Sequence, residues 1–359
     1  MTTRSKRKKT ARGTPARLSR PVKRREPSWV RLSDEELLNK RFCDLRLSLR
    51  NTMVERHWRD VQNDLNRRGI RFRPHLWLSE EWFSPDGVPG IAVPFYMAHP
   101  RLMRLERHFM GEVEGGNANW LTRILRHEAG HALDNAFRLR RRKEWRRTFG
   151  NPSRPYPDVY RPRPASLDYV LHLGHWYAQS HPTEDFAETF AVWLKPNSDW
   201  RRSYASWPAW EKLRYVDELM RQLATEPPRV TSRAHIEPLG RNPRTLAEHY
   251  REKLARQTDW CSEASDTLLL RVFTRRPPRA GLTRAATFLR AHKRELLAGS
   301  CGADEAYNLQ QVLRIAIERA DNMDLYLRGS QRDAMPHARW LLGSMARLFG
   351  ERERPQLNL

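Results

Sequence analysis

Residues 120–137, WLTRILRHEAGHALDNAF, decide how this chain is read. Trp120, Leu121, Ile124, Leu125, Ala132 and Ala136 recur at helical spacing, and Asn117 or Asn119 supplies the capping side chain ahead of them. A helix from about Trp120 to at least Phe137 places His127 and His131, four residues apart, on one face. Glu128 then sits about 100° around the axis. Two imidazoles able to meet one ion, with a carboxylate beside them, form the HExxH pattern of zinc hydrolases. There the histidines ligate the metal and the glutamate acts as general base.

Catalytic zinc takes a third protein ligand and keeps one position open. An extended HExxHxxGxxH motif is absent, because Asp134 and Phe137 stand where Gly and His would be needed. Downstream, Pro182-Thr183 opens another predicted helix, Glu184 to about Leu194, in which Glu184 and Glu188 lie one turn apart while Phe186, Phe190 and Trp193 face a core. Like charges at this spacing are mildly destabilising unless a cation lies between them and the histidines. Glu184 is the expected third ligand, with Glu188 accepting the second N–H of a ligand imidazole. His172, His175 and His181 are the alternatives.

Outward from this core the pattern changes. Ser33-Asp34-Glu35-Glu36 is a helix start, followed by Leu37, Leu38, Phe42 and Leu45 at helical spacing, and Val54, Trp58, Val61 and Leu65 form a second stripe. Residues 71–79 and 90–97 read as strands, with turn chemistry at Ser84-Pro85-Asp86-Gly87. Pro89 and Pro94 suit an edge strand, one that could align an extended peptide. Residues 150–165 read as irregular connection. Helical patterning resumes over 210–223 and 245–256, then over 282–297, 304–327 and 338–349. Trp200, Trp207 and Trp210 are expected to pack a helical core. The expected class is α+β with an α-helical C-terminal extension: a basic disordered tail over 1–30, a catalytic domain over 31–225, a linker over 226–243 and a helical region over 244–359.

Net charge is +24, and residues 1–26 carry eleven Lys/Arg against one Glu. A second cluster, Arg138–Arg147, holds seven Lys/Arg in ten residues and is expected to extend the HExxH helix as a solvated end. Such fields attract polyanions without specifying one. A nucleic-acid-associated protein, or a protease recruited to nucleic acid through residues 1–26 and 138–147, is therefore the competing function. Three widely spaced cysteines, Cys43, Cys261 and Cys301, argue against a disulfide scaffold and are expected to be buried thiols. With no apolar run long enough for a membrane helix, and no secretory signal, a cytoplasmic location is expected.

HExxH followed by E-x-F-A-E-x-F, with Tyr177 seven residues before Glu184, resembles the gluzincin metallopeptidases of the anthrax lethal factor and Pro-Pro endopeptidase type. The wider stretch (WFSPDGVPGIAVPFY at 82–96, HEAGH, then YAQSHPTEDFAETFAVWL at 177–194) is similar to a bacterial family of zinc-binding metallopeptidases. The resemblance implies a zincin-like core with one Zn2+ on His127, His131 and Glu184. It also implies Glu128 as general base, Tyr177 near the developing oxyanion, and peptide or protein substrates. Members of that family often carry an N-terminal cysteine zinc ribbon, and the basic tail stands in its place here.

Overall fold

The computed structural model describes residues 26–358 apart from 111, 158, 161, 164–165, 175, 257–259, 276–280, 282, 299–302 and 351–356. Residues 1–25, which hold nearly all of the expected basic tail, lie outside it, as do His175 and Cys301. Packing already begins ahead of Ser33: Trp29, in a short 3-10 turn, is buried and donates its indole N–H to the Leu45 carbonyl at 3.0 Å. The Ser33/Glu36 capping box opens α1 (Asp34–Leu38) as its sequence predicts. This helix stops early, because the N–H groups of Phe42 and Cys43 are spent on the carbonyls of Arg244 and Asn242.

α2 (Met53–Arg67) buries its stripe, and its inward Asp64 pairs with Arg126 at 2.9 Å. β1 (His75–Ser79) and β2 (Gly90–Pro94) follow and pair in parallel, Trp77 opposite Ala92. Between them the Ser84–Gly87 turn folds back, so that the Ala92 N–H donates to the Phe83 carbonyl on the side away from β1. All of β2 is buried. The free edge expected for peptide alignment is therefore closed at Ala92 by the protein's own chain. β2 also ends at Pro94, short of the predicted Met97, in a 3-10 turn over Phe95–Ala98.

α3 (Pro100–Met110) leads into α4 (Ala118–Phe137), capped by the Asn117 side chain, which accepts the Trp120 N–H at 2.9 Å. The basic run does not extend α4. Arg138 turns left-handed (φ 54°), and α5 (Lys143–Phe149) begins a new direction with Trp145 and Phe149 buried. Arg140 is held by Asp134 at 2.6 Å and Asp86 at 2.7 Å, so this part of the run is structural rather than free. Residues 150–157 are irregular, as expected, and lead to β3 (Val159–Tyr160).

α6 (Pro182–Leu194) packs along α4, and Gly130 is what lets it approach. A Cβ there would stand 3.1 Å from both the Ala187 Cα and a Phe190 ring carbon. α7 (Trp200–Ser203) and α8 (Ala209–Leu223) close this core; Trp200 is buried, with Trp207 and Trp210 packed against its edge. Residues 234–237 run along β1, their carbonyls accepting from the side chains of His75, Trp77 and Ser79. α9 (Leu246–Arg256) buries Leu246 and Tyr250 in this first core, although the sequence assigns it to the C-terminal region.

A second core gathers buried residues of α10 (Trp260–Val272), α11 (Ala285–Ala291), α12 (Lys293–Leu297), α13 (Ala303–Asn322) and α14 (Gln331–Gly350), together with Trp176. α10 was not legible, and the single helix expected over 282–297 divides at His292. β4 (Leu357–Asn358) pairs antiparallel with β3. Among the described residues, helix predominates over a small parallel sheet, consistent with an α+β class. No described helix is long and apolar enough to cross a membrane. Cys43 is a free, half-buried thiol.

Candidate metal centre

α4 turns His127 and His131 toward α6, which answers with Glu184 and, one turn later, Glu188. All four residues are buried. His127 Nε2 and His131 Nε2 lie 3.0 Å apart, and each is 3.0 Å from Glu184 Oε2. Three atoms able to ligate a metal converge on one point. A tetrahedral zinc site with bonds of about 2.0–2.1 Å has ligand–ligand edges of about 3.3 Å, so only a small expansion would admit the ion. His127, His131 and Glu184 are the metal-capable cluster among the described residues. Two nitrogens and one carboxylate oxygen also match zinc's preferred donor chemistry.

Glu188 sits behind His127, its Oε1 accepting the imidazole Nδ1–H at 2.8 Å while its Oε2 accepts the Leu173 N–H at 2.7 Å. In the neutral imidazole this bond fixes the tautomer, with the Nε2 lone pair turned to the cluster. Burial opposes ionisation of Glu184 and Glu188. The histidines nonetheless hold both carboxyls below the usual carboxylate range, Glu184 far below it, and the two carboxylates raise His127 well above an ordinary histidine.

Of the alternative ligands, His175 lies outside the described residues, and the other two are engaged elsewhere. His172 Nε2 meets the Arg123 carbonyl at 3.0 Å, and burial pulls its pKa down to about 3. His181 caps α6: its Nδ1 accepts the Thr183 N–H at 3.2 Å, and Nε2 donates to the Arg154 carbonyl at 2.7 Å.

Glu128 projects beside the cluster, and the Ser84 hydroxyl donates to its Oε2 at 2.9 Å. The turn carrying Ser84 is fastened to α4 itself. Asn135 accepts the Gly87 N–H at 3.2 Å and donates to the Pro85 carbonyl at 3.0 Å, while Gly87 adopts the left-handed φ of 73° that the turn requires. Asp134 does not touch the cluster directly; it accepts the Arg140 backbone N–H and side chain.

Two tyrosines approach the centre. Tyr177 stacks obliquely on His127, ring centroids 5.6 Å apart, in a turn that begins at left-handed Trp176. The Trp176 ring is buried in the second core, so the C-terminal helices hold the start of the Tyr177 turn. Burial, then the Glu184 charge, pushes the Tyr177 hydroxyl well above its usual pKa. Tyr156 was not anticipated. Its hydroxyl donates to Glu184 Oε1 at 2.7 Å, its ring stacks on His181 at 3.9 Å, and half of its surface is exposed. Ser84 and Tyr156 both lie on loops far in sequence from their partners, where no periodicity marks them.

Residues 119–206, which contain this whole ligand cluster and Tyr156 and Tyr177, match the model of a family described as "Putative zinc-binding metallo-peptidase". No curated protein and no solved structure matches the chain.

Proposed function

From residues 119–206 as a segment of this zinc-binding metallo-peptidase family, we propose that the protein is a zincin-like zinc peptidase hydrolysing peptide bonds, with His127, His131 and Glu184 as zinc ligands. The observation that carries the proposal is the three-way 3.0 Å convergence of two imidazoles and one carboxylate, with Glu128 next to His127 on the same helix. Bound zinc would supply Lewis acidity, polarising a carbonyl and acidifying water.

This chain's residues would do the rest. Glu128 takes the proton of the attacking water and returns it to the leaving amine, a role worth about 10²–10⁴ in rate. Ser84 holds the Glu128 carboxylate in place, and Glu188 holds His127 in the ligating tautomer. Tyr156, whose hydroxyl now rests on Glu184, and Tyr177, whose ring lies against His127, are the candidate donors to a developing oxyanion.

The test is cleavage of a diverse peptide mixture, read by mass spectrometry, with zinc quantified in the same samples. Wild type should cut at discrete sites. Glu128→Gln should keep its zinc and lose turnover by at least about 10². Equal cleavage by both proteins would refute the assignment.

A further inference from the structure

β1 has an edge that the fold leaves open. Its pairing with β2 uses one side, and among the described residues no other hydrogen bond reaches a β1 backbone group. An open cavity of about 780 Å³ lies along the other side. Leu76 and Leu78 line it from one face of the strand, His75 and Trp77 from the opposite face, and no residue of β2 takes part. Successive side chains of a strand point to opposite faces, so a cavity that touches both faces runs along the edge. Residues 234–237 do not close it. Their carbonyls accept from the side chains of His75, Trp77 and Ser79, not from the β1 backbone.

The segment 46–50 supplies another wall, with Leu47 and Leu49 alternating with Arg46, Ser48 and Arg50. Leu47, Leu49, Leu76 and Leu78 are half-buried and give the cavity an apolar lining. Arg46, Arg50 and Arg233 are exposed on it, and none has an ion pair among the described residues. Glu55 is the acid on the same wall, and its carboxylate already accepts the Asn51 N–H at 2.7 Å. Positive charge is therefore accessible and unmatched beside leucines and free backbone groups. Protein edges are usually blunted by lysine, proline or a bulge, and β1, which reads HLWLS in unbroken register, has none of these.

We propose that this groove captures an extended acidic and apolar peptide segment of a partner protein, added to β1 as a further strand. The partner's backbone would meet the open edge, its apolar side chains Leu76 and Leu78, and its carboxylates Arg46, Arg50 and Arg233. A polynucleotide could satisfy the arginines but could not extend the sheet. The five residues of β1 span about 17 Å, which sets the length of segment that fits. None of His127, Glu128, His131 and Glu184 lines the groove, so it stands whether or not the metal centre is catalytic.

Fluorescence anisotropy of a labelled heptapeptide alternating glutamate with leucine, titrated with the full chain, tests it. Hydrogen exchange of the β1 amides locates the binding. Wild type should bind saturably and slow exchange over residues 75–79. A scrambled peptide of the same composition, and an analogue N-methylated throughout its backbone, keep the charge but lose the alternation or the strand hydrogen bonds. Each should bind about tenfold or more weakly. Arg46→Glu/Arg50→Glu should weaken binding about tenfold and Arg233→Glu severalfold, with cooperative melting retained. The peptide's mass is checked after each titration, so that hydrolysis is not mistaken for weak binding. Equal binding of the scrambled or N-methylated peptide would mean attraction by charge alone and would overturn the proposal. So would unprotected β1 amides, unchanged affinity in the arginine variants, or no saturable binding to wild type at about 1 mM.

Discussion

Gly130 stands in the middle of the HExxH turn, and replacing it with alanine perturbs the metal centre without touching a ligand. The new Cβ would lie 3.1 Å from the Ala187 Cα and from a Phe190 ring carbon. Carbon atoms pack comfortably at about 3.5–4.0 Å, so α6 must retreat from α4 by about 0.5 Å. Glu184 sits three residues before Ala187 on that helix, and metal sites hold their ligand distances within about 0.2 Å. The displacement exceeds that tolerance, and zinc affinity should fall about 10–100-fold, or about 1.4–2.7 kcal/mol. Stability responds less. Overpacking costs about 1–3 kcal/mol, while exchanging glycine for alanine within a helix returns about 1 kcal/mol. The zinc-free protein should therefore lose about 0–2 kcal/mol. Competition against a chromophoric chelator measures the first quantity, and urea unfolding of chelator-treated protein measures the second. A Gly130→Ala protein that keeps wild-type zinc affinity and unfolds at higher urea would refute the claim that this close approach sets the ligand geometry.

Glu188→Gln should lower zinc affinity about 10–100-fold in the same chelator competition, because an amide cannot replace the charge behind His127. Removing the hydroxyl that stabilises the oxyanion should cost about 10²–10³ in kcat with zinc retained. Single-turnover cleavage by Tyr156→Phe and Tyr177→Phe identifies which tyrosine supplies it, and near-wild-type rates in both would remove tyrosine from the mechanism. Asp185 is pushed up to about 6 by burial, against the pull of Lys212 at 2.7 Å. An acid whose folded pKa is raised above the unfolded value of about 3.9 favours the fold while protonated. That advantage is complete below about pH 4 and lost as pH rises through about 6. Chemical unfolding across this window should show the stability of wild type relative to Asp185→Asn falling by about 3 kcal/mol. A flat difference would contradict the assigned titration.

The elements that carry the metal-capable cluster were legible because helical periodicity and the chemistry coincide on them. The spacing of Trp120, Leu121, Ile124 and Leu125 sets the face of α4, and that face fixes where His127 and His131 point. Glu184 and Glu188 announced themselves as two carboxylates stacked one turn apart on the same face of a helix, and both are buried against the histidines. What could not be read depends on contacts distant in sequence. Ser84 reaches Glu128, and Tyr156 reaches Glu184, across segments with no period. The parallel pairing of β1 and β2 was hidden by a turn that suits a hairpin equally well; that turn instead returns Phe83 to β2. The basic run after Phe137 looked like a solvated helix end, yet Asp134 and Asp86 take up Arg140 where the chain reverses. Charge density alone does not distinguish a solvated arginine from a paired one.

Zinc K-edge X-ray absorption on protein dialysed to constant metal content tests the central claim most directly. The account predicts one zinc per chain, held by two imidazole nitrogens at about 2.0–2.1 Å and one carboxylate oxygen at about 2.0–2.2 Å. Glu184→Ala should lose the oxygen ligand and most of the metal. Less than stoichiometric zinc in wild type, a sulfur at about 2.3 Å, or a shell unchanged by Glu184→Ala would contradict it.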